Sequence, residues 1–254
     1  MPDIKKLLEL SKTIATNAGQ RLLNDFSCEQ KKYVHSDELP KEVKALADTI
    51  LEKDIIKSLN NTGFPILSEE AGYIPGKAES KYWFIVDPLD GTFNFVKGLG
   101  PCAVSIAFWE GQNPIFGVIY DIYSQDLYWG GGEFGAYCNE NTISVSYTSN
   151  KENASICTGF PVRFNIDDDN EMKNFWSLIS PYAKVRMLGS AAISLINVAK
   201  GSADVYTEQN IMIWDVAAGI AIIEGSGGSI HYENGSHEYS LNVYASNKPL
   251  FKYH

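Results

Sequence analysis

Residues 83–92 read WFIVDPLDGT, an apolar segment that leads into two aspartates and a Gly-Thr turn. The apolar residues are typical of a buried strand, and Pro88 cannot donate a ladder hydrogen bond, so we expect the strand to stop at Asp87. Asp90 then returns toward Asp87, and the turn can face the Leu89 carbonyl inward. Two carboxylates and a backbone oxygen suit a hard cation such as Mg²⁺. The segment predicts a metal site, although Asp after a strand is also a common turn former.

Two further apolar segments of the chain end in acidic residues. Glu69 and Glu70 follow the residues FPIL, and Asp215 follows IMIW and opens a small-residue helical run at 216–223. If the three transitions converge, their carboxylates would repel one another strongly unless cations bind between them. This repetition favours a metal site over three unrelated turns.

Three motifs together resemble a known family. They are DPLDGT at 87–92, SEE at 68–70 and WDVAAG at 214–219. In residues, order and spacing they resemble the inositol monophosphatase family of Mg²⁺-dependent, lithium-sensitive phosphatases, over roughly residues 40–230. The resemblance implies a two- or three-ion Mg²⁺ centre and a phosphate-ester substrate.

The resemblance also implies which residues hold the metal ions. The first Mg²⁺ would be bound by Glu69, Asp87 and the Leu89 carbonyl, and the second by Asp87, Asp90 and Asp215. Substrate phosphate oxygens would complete both coordination shells, and the ions would neutralise the charge that develops in phosphoryl transfer.

Catalytic and substrate-binding roles follow from the same resemblance. Glu69 and Thr92 would polarise the attacking water, and Asp48 would support Thr92. The Gly91 and Thr92 amides would hold the phosphate at a helix N-terminus. The polyol would meet Gly189, Ser190, Ala191, Glu208 and Asp215. Simpler structural roles are open for two of these residues: Ser190 as a plain helix N-cap, and Glu208 as a solvated loop acid.

Apolar periodicity predicts the helices and strands around these motifs. Residues 3–25 and 43–59 have the spacing of amphipathic helices, and the buried stripe of the second is predicted as Leu46, Ile50, Ile55 and Leu59. Strands are predicted at 104–108, 114–120, 127–129, 154–158, 185–188 and 203–207, and helices at 170–180, 191–200 and after Asp215. GGGEFG at 130–135 is interpreted as a hairpin turn, because no helix with Lys or Ser/Thr follows it as a phosphate loop requires.

This mixture of elements predicts an α+β protein built of stacked layers. The resemblance implies a layered α-β-α-β-α sandwich, antiparallel in its first half and mixed in its second. We expect one domain over residues 1–254, with approximate halves 1–150 and 151–254.

Composition narrows the class of partner. A net charge of -10 argues against nucleic acid or an anionic membrane as the main partner, because both need basic patches. The four cysteines have no paired spacing, and no apolar run reaches membrane-spanning length. We therefore expect a soluble, cytoplasmic protein. The family resemblance implies a small phosphorylated polyol as its substrate. A homodimer is expected because dimers are common in the resembling family.

The substrate is less defined than the chemistry. The residues after Thr92 are Phe93, Asn94 and Phe95, which resemble the inositol monophosphatase branch and favour inositol-1-phosphate. The alternatives on the same scaffold are a 3′(2′),5′-bisphosphate nucleotidase, a fructose-1,6-bisphosphatase and a histidinol phosphatase. A hypothesis of another class is a noncatalytic partner-binding protein that retains the metal site for stability.

Overall fold

The structure is a computed structural model that describes residues 2–25, 33–35, 43–160 and 167–252, with backbone alone at 33–35 and 43–45. Its helices are α1 (Ile4–Asp25), α2 (Leu46–Leu59), α3 (Thr92–Lys97), α4 (Asp169–Ile179), α5 (Ala191–Ala199), α6 (Ile213–Gly225) and α7 (Lys248–Phe251). Its strands are β1 (Tyr33–His35), β2 (Val43–Ala45), β3 (Ile66–Ser68), β4 (Gly72–Ile74), β5 (Tyr82–Asp90), β6 (Ala103–Glu110), β7 (Asn113–Asp121), β8 (Leu127–Gly131), β9 (Gly135–Cys138), β10 (Asn141–Thr142), β11 (Ser155–Cys157), β12 (Lys184–Arg186), β13 (Val205–Met212), β14 (Ser229–Asn234) and β15 (Ser240–Ser246).

Two large sheets contain thirteen of these strands, and β1 and β2 form a separate pair. The first has eight strands in the order β10-β9-β8-β7-β6-β5-β3-β4, and its pairs are antiparallel apart from β3 with β5. The second has five strands in the order β12-β11-β13-β15-β14 and is mixed, since β11 runs parallel to both of its neighbours. The β8–β9 hairpin contains the glycine-rich segment 130–135, as predicted.

Helices and sheets alternate in five layers. The helices α1 and α2 cover one face of the eight-stranded sheet, and α5 and α6 fill the space between the two sheets. The outer face of the five-stranded sheet packs against α4 and α7 through a third apolar cluster. The α-β-α-β-α sandwich predicted from the sequence is therefore confirmed. Among the described helices, none combines the length and apolarity needed to cross a membrane.

The second helix differs from its prediction in its start and in its buried face. Residues 43–45 form a strand that pairs antiparallel with β1, so the helix begins at Leu46. Leu46 is exposed, and the predicted stripe is only partly buried. The buried residues of α2 are Ala47, Asp48, Leu51, Glu52, Ile55 and Leu59. The apolar pattern predicted the wrong buried face because two of the buried residues, Asp48 and Glu52, are carboxylates.

The metal motif lies within a strand rather than after one. The prediction that the strand stops at Asp87 is wrong, because β5 continues to Asp90. Its register against β6 shifts between Asp87 and Asp90, where Pro88 has no N–H to donate. Such a bulge redirects side chains, and it turns both aspartates toward one place.

Candidate metal centre

Parallel pairing brings two acidic motifs to the same end of the first sheet. Ser68 of β3 lies opposite Val86 of β5, so Glu69, the residue after β3, and Asp87, the next residue of β5, lie beside each other at this end of the sheet. The Glu69 amide also donates to the Val86 carbonyl at 3.3 Å. This arrangement explains why residues far apart in the sequence share one site.

Three carboxylates meet at this end of the sheet. One oxygen each of Asp87, Asp90 and Asp215 lie within 4.8 Å of one another, with Asp215 contributed by the first turn of α6. The structure thus brings together two of the three acidic segments, those of Asp87 and Asp90 and of Asp215. Oxygen donors at such spacing match the ligands of a hard divalent cation.

Asp87 shows both the turn-forming and the ligand-like features. Its Oδ1 accepts a hydrogen bond of 2.9 Å from the Leu89 amide, which is the contact of an aspartate turn. Its Oδ2 is buried and has no hydrogen-bond partner among the described residues. A buried carboxylate oxygen without a partner is costly, and a bound cation would satisfy it. The residues present therefore fit a metal ion.

Asp90 is held by the start of α5. The Ser190 hydroxyl donates to Asp90 Oδ2, and the amides of Ala191 and Ala192 donate to its two oxygens at 3.2 and 3.0 Å. Burial outweighs these hydrogen bonds and raises the Asp90 pKa to about 6. In the absence of a cation the cluster thus retains protons at mildly acidic pH.

The other carboxylates of the site respond in the same way. Burial, followed by the charges of Asp215 and Asp90, raises the pKa of Asp87 well above its ordinary value. Burial and the charges of Glu69 and Asp90 raise the pKa of Asp215. Burial and the charge of Asp87 raise the pKa of Glu69, so Glu69 belongs electrostatically to this cluster.

Thr92 joins the metal motif to α2. Its hydroxyl lies 2.9 Å from the Leu89 carbonyl oxygen and 3.3 Å from Asp48 Oδ1. A hydroxyl has one hydrogen to donate, so the two acceptors compete for it. When the hydrogen points to Asp48, the oxygen lone pairs of Thr92 can accept from a water or another donor. This geometry agrees with the water-positioning role implied for Thr92 and Asp48, which stays a prediction.

The turn before α5 has a structural role of its own. Ser190 Oγ accepts from the Ile193 amide at 3.2 Å, so the N-cap interpretation is confirmed. The amides of Ala191 and Ala192 at this helix start donate to Asp90. Gly189 has a φ of +71°, which favours glycine. Contact of this turn with a polyol stays a prediction.

Glu208 lies in β13 rather than in a solvated loop. It is partly buried and accepts a hydrogen bond of 3.1 Å from the Tyr206 hydroxyl. Burial raises its pKa to about 7, and the charge of Asp90 contributes to the increase. Glu208 therefore faces the same acidic cluster from the second sheet.

Asn94 joins the two halves of the site, a role that the sequence does not predict. Its buried Nδ2 lies 2.7 Å from the Leu188 carbonyl oxygen, 2.9 Å from that of Pro101 and 3.3 Å from that of Gly189. One amide thus ties α3 to the turn that carries Ser190. A polar residue between Phe93 and Phe95 was the available signal, but Leu188 and Gly189 are more than 90 residues away in sequence and could not be inferred.

Comparison with known proteins agrees with this architecture. A model of the inositol monophosphatase family matches residues 3–251. The chain belongs to this family. It is 33% identical to the fructose-1,6-bisphosphatase/inositol-1-monophosphatase of Aquifex aeolicus, over 90% of this chain and 86% of that protein. It is 32% identical to the Nus factor SuhB of Pseudomonas aeruginosa, over 98% of this chain and 94% of that protein.

A solved structure matches as well. The inositol monophosphatase of Anabaena superimposes with a TM-score of 0.82 at 28% identity, covering 98% of this chain and 93% of that one. Membership of the inositol monophosphatase family places the chain among phosphatases. The family is generally metal-dependent, and the cluster of Asp87, Asp90 and Asp215 supplies suitable ligands.

Proposed function

We propose that the protein is a Mg²⁺-dependent phosphomonoesterase that hydrolyses a small polyol phosphate, with inositol-1-phosphate as the first candidate. The observation that carries the proposal is the convergence of Asp87, Asp90 and Asp215, with one Asp87 oxygen buried and lacking a partner among the residues described. A cluster of this kind needs cations to be fully ionised, and a bound cation can in turn receive a phosphate ester.

The proposed metal ligands are those that the resemblance to the family implies. Glu69, Asp87 and the Leu89 carbonyl would hold one Mg²⁺, and Asp87, Asp90 and Asp215 would hold a second. When bound, the ions would neutralise phosphate charge and make water a better nucleophile near neutral pH. A third ion and lithium sensitivity are further parts of the proposal.

The chain's own groups would orient the attacking water and the phosphate. With the Leu89 carbonyl bound to metal, Asp48 would take the Thr92 hydroxyl hydrogen, and the Thr92 oxygen would then accept from water. Glu69 would accept the other hydrogen of that water. The amides of Gly91 and Thr92, at the start of α3, would donate to the phosphate.

The polyol would be recognised from the second half of the chain. Glu208 has a pKa raised to about 7 by burial, so it can either accept from a substrate hydroxyl or donate to it near neutral pH. The turn formed by Gly189, Ser190 and Ala191 would lie on the other side of the substrate. Asp215 would contact both the metal and the substrate.

Phosphate release from a substrate panel tests the proposal. The panel contains inositol-1-phosphate, fructose-1,6-bisphosphate, histidinol phosphate, 3′-phosphoadenosine-5′-phosphate and NADP, each with Mg²⁺ and then with chelator. We expect Mg²⁺-dependent release that is greatest with inositol-1-phosphate. Asp90→Asn should abolish it, whereas Asp169→Asn, at an exposed residue in the outer layer, should leave it unchanged. Full turnover by folded Asp90→Asn would contradict the metal assignment.

A second substrate has support from a relative. The Aquifex aeolicus relative is named for activity on fructose-1,6-bisphosphate as well as on inositol-1-phosphate. Preference for fructose-1,6-bisphosphate in the panel would move the substrate and keep the mechanism. Preference for the nucleotide or for histidinol phosphate would likewise change the proposed substrate and keep the mechanism.

A noncatalytic role is the alternative of a different class. The Pseudomonas aeruginosa relative is named a Nus factor, and its similarity extends over nearly the whole chain. Well-folded protein that binds Mg²⁺ but releases no phosphate from any panel substrate would favour partner binding. The expected homodimer and cytoplasmic location stay predictions, and light scattering on the purified protein measures the first.

A further inference from the structure

Glu52 is a buried carboxylate on α2 that binds the turn after β3. Its side chain is 5% exposed. Its Oε1 accepts hydrogen bonds from the Ser68 hydroxyl, from the Glu70 amide at 3.1 Å and from the Ala71 amide at 2.9 Å. One charged oxygen thus receives three donors from one short turn. Hydrogen bonds to an ionised acceptor are stronger than neutral ones, so this contact fixes the turn firmly.

The three donors surround a residue that Glu52 does not itself bind. Ser68 precedes Glu69, and Glu70 and Ala71 follow it. On the other side the Glu69 amide donates to the Val86 carbonyl of β5. The backbone of Glu69 is therefore held from both sides, while its carboxylate belongs to the cluster with Asp87 and Asp215.

The helix α2 supports the site at two points one turn apart. Asp48, four residues before Glu52, accepts from Thr92, and Glu52 accepts from the turn around Glu69. Like charges at this spacing on a helix are mildly destabilising, and burial adds to the cost. The stability of α2 alone does not account for this pair. The pair is accounted for by the loops that it binds, since each loop carries a residue of the candidate centre.

We propose that Glu52 is a positioning residue that holds Glu69 in place to bind metal. The inference rests on the proposed function, because it gives Glu69 the role of a metal ligand. Glu52 acts through the backbone of the turn and contacts neither metal nor substrate. Loss of its side chain leaves the Ser68 hydroxyl and two buried or partly buried amides without their acceptor, so the turn relaxes away from Asp87.

Two substitutions separate the acceptor atom from its charge. Glu52→Gln keeps an oxygen that can accept the same hydrogen bonds, but without the negative charge. Glu52→Met keeps the length of the side chain and removes the acceptor. A matched stability control is Ile55→Val, one turn away on the buried face of α2, which loosens the core without touching the turn. Glu69→Gln is the reference variant, because it shows how much Mg²⁺ affinity is lost when the proposed ligand itself is changed.

Mg²⁺ binding by calorimetry is the main measurement, with phosphate release as the second. We expect Glu52→Met to weaken Mg²⁺ binding by about 10- to 100-fold, the range typical when a residue that orients a ligand is removed. It should lower kcat and leave the substrate KM at saturating Mg²⁺ nearly unchanged. The Mg²⁺ affinity and kcat of Glu52→Gln should lie between those of Glu52→Met and of the unmodified protein. Ile55→Val should lower only the thermal midpoint.

The outcomes distinguish this inference from the proposed function. If the unmodified protein neither binds Mg²⁺ nor releases phosphate, the proposed function fails. If it does both and Glu52→Met binds Mg²⁺ equally well despite a lower thermal midpoint, Glu52 is structural only and the inference is overturned. If Glu52→Met does not fold, Glu52→Gln decides: unchanged Mg²⁺ affinity overturns the inference, and weakened affinity with an intact fold supports it.

Discussion

The Ser190 hydroxyl donates a hydrogen bond to Asp90, although 100 residues separate the two in the sequence. The same oxygen accepts from the Ile193 amide and so caps α5. A single side chain therefore both begins a helix of the central layer and anchors a carboxylate of the candidate metal centre. Folding of the second half and preparation of the metal site are coupled at this residue.

Ser190→Ala tests that coupling. Loss of an N-cap hydroxyl costs about 1 kcal/mol of unfolding free energy, which urea denaturation measures. Because the Ser190 hydrogen bond lowers the Asp90 pKa, its loss should raise that pKa above about 6. Mg²⁺ affinity should then fall more at pH 6 than at pH 8, since more Asp90 is protonated at pH 6. Ser226→Ala, which removes a buried hydroxyl at the end of α6, should not change this pH dependence.

The helix α2 shows what the sequence can and cannot predict. Its end at Leu59 was predicted correctly, as were the other long helices and the hairpins of the first sheet, because local periodicity and turn residues define them. Its buried face was misplaced because Asp48 and Glu52 point inward, where hydrophobic patterning counts them as exposed. Residues 43–45 form a strand only because they pair with β1, a contact that local propensity does not contain.

The site was predictable where residue type alone indicates chemistry. Asp87, Asp90 and Asp215 follow apolar segments, and carboxylates at such ends indicate a metal. The partners that orient them were not predictable. The Ala192 amide that binds Asp90 belongs to a residue whose side chain carries no chemical signal, and its position depends on how the two halves pack.

Asn94→Asp tests how the two halves of the site are joined. Asp has nearly the same shape but replaces two donor hydrogens with a carboxylate oxygen that faces the carbonyls of Leu188 and Pro101. We expect the protein to lose about 2–3 kcal/mol of unfolding free energy at pH 8, because a buried charge then faces acceptors only. Asn94→Ala should lose less unfolding free energy, because it places no charge beside these carbonyls. Denaturant unfolding at pH 8 measures both variants.

The control for Asn94 is a similar contact at a solvent-exposed position. Asn139 donates to Asp126 at 2.8 Å in an exposed hairpin. Asn139→Asp also creates a repulsive pair, but solvent screens it, so the loss should be much smaller. Equal losses at the two positions would show that burial and the junction with Leu188 contribute nothing.

Gly91→Ala tests the close approach of chains beside the metal motif. Gly91 has a φ of +85°, and a Cβ there would lie 2.9 Å from the Pro101 carbonyl oxygen. Gly98 has a φ of +67° but open space around its Cβ position. Both alanine variants should lose about 1 kcal/mol through the left-handed backbone, and Gly91→Ala should lose more through the clash. Gly91→Ala alone should weaken Mg²⁺ binding in calorimetry. Equal stability and equal Mg²⁺ affinity of the two variants would contradict the assigned contact.

The electrostatics of the carboxylate cluster make stability depend on both pH and metal. The folded-state pKa of Asp90 is raised to about 6, and those of Glu69, Asp87 and Asp215 are raised well above their ordinary values, with burial as the first cause. The folded protein without metal therefore holds more protons than the unfolded chain above about pH 4. By linkage, its unfolding free energy falls as pH rises from that value through the folded-state pKa values.

Asp215→Asn should reverse this penalty in the absence of metal. Removing one charge from the cluster lowers the repulsion on Asp87 and Asp90, so the variant in chelator at pH 8 should melt at a higher temperature than the unmodified protein. The difference should shrink toward pH 5, where the cluster is already partly protonated.

Adding Mg²⁺ should raise the midpoint of the unmodified protein at pH 8 and should raise that of Asp215→Asn much less, because the variant has lost a ligand. Thermal unfolding followed by circular dichroism measures both proteins in chelator at pH 8, in chelator at pH 5 and in Mg²⁺ at pH 8. A lower midpoint for Asp215→Asn in chelator at pH 8 would mean that Asp215 contributes a stabilising contact that exceeds its repulsion, and the proposed balance of charges in this cluster would be wrong.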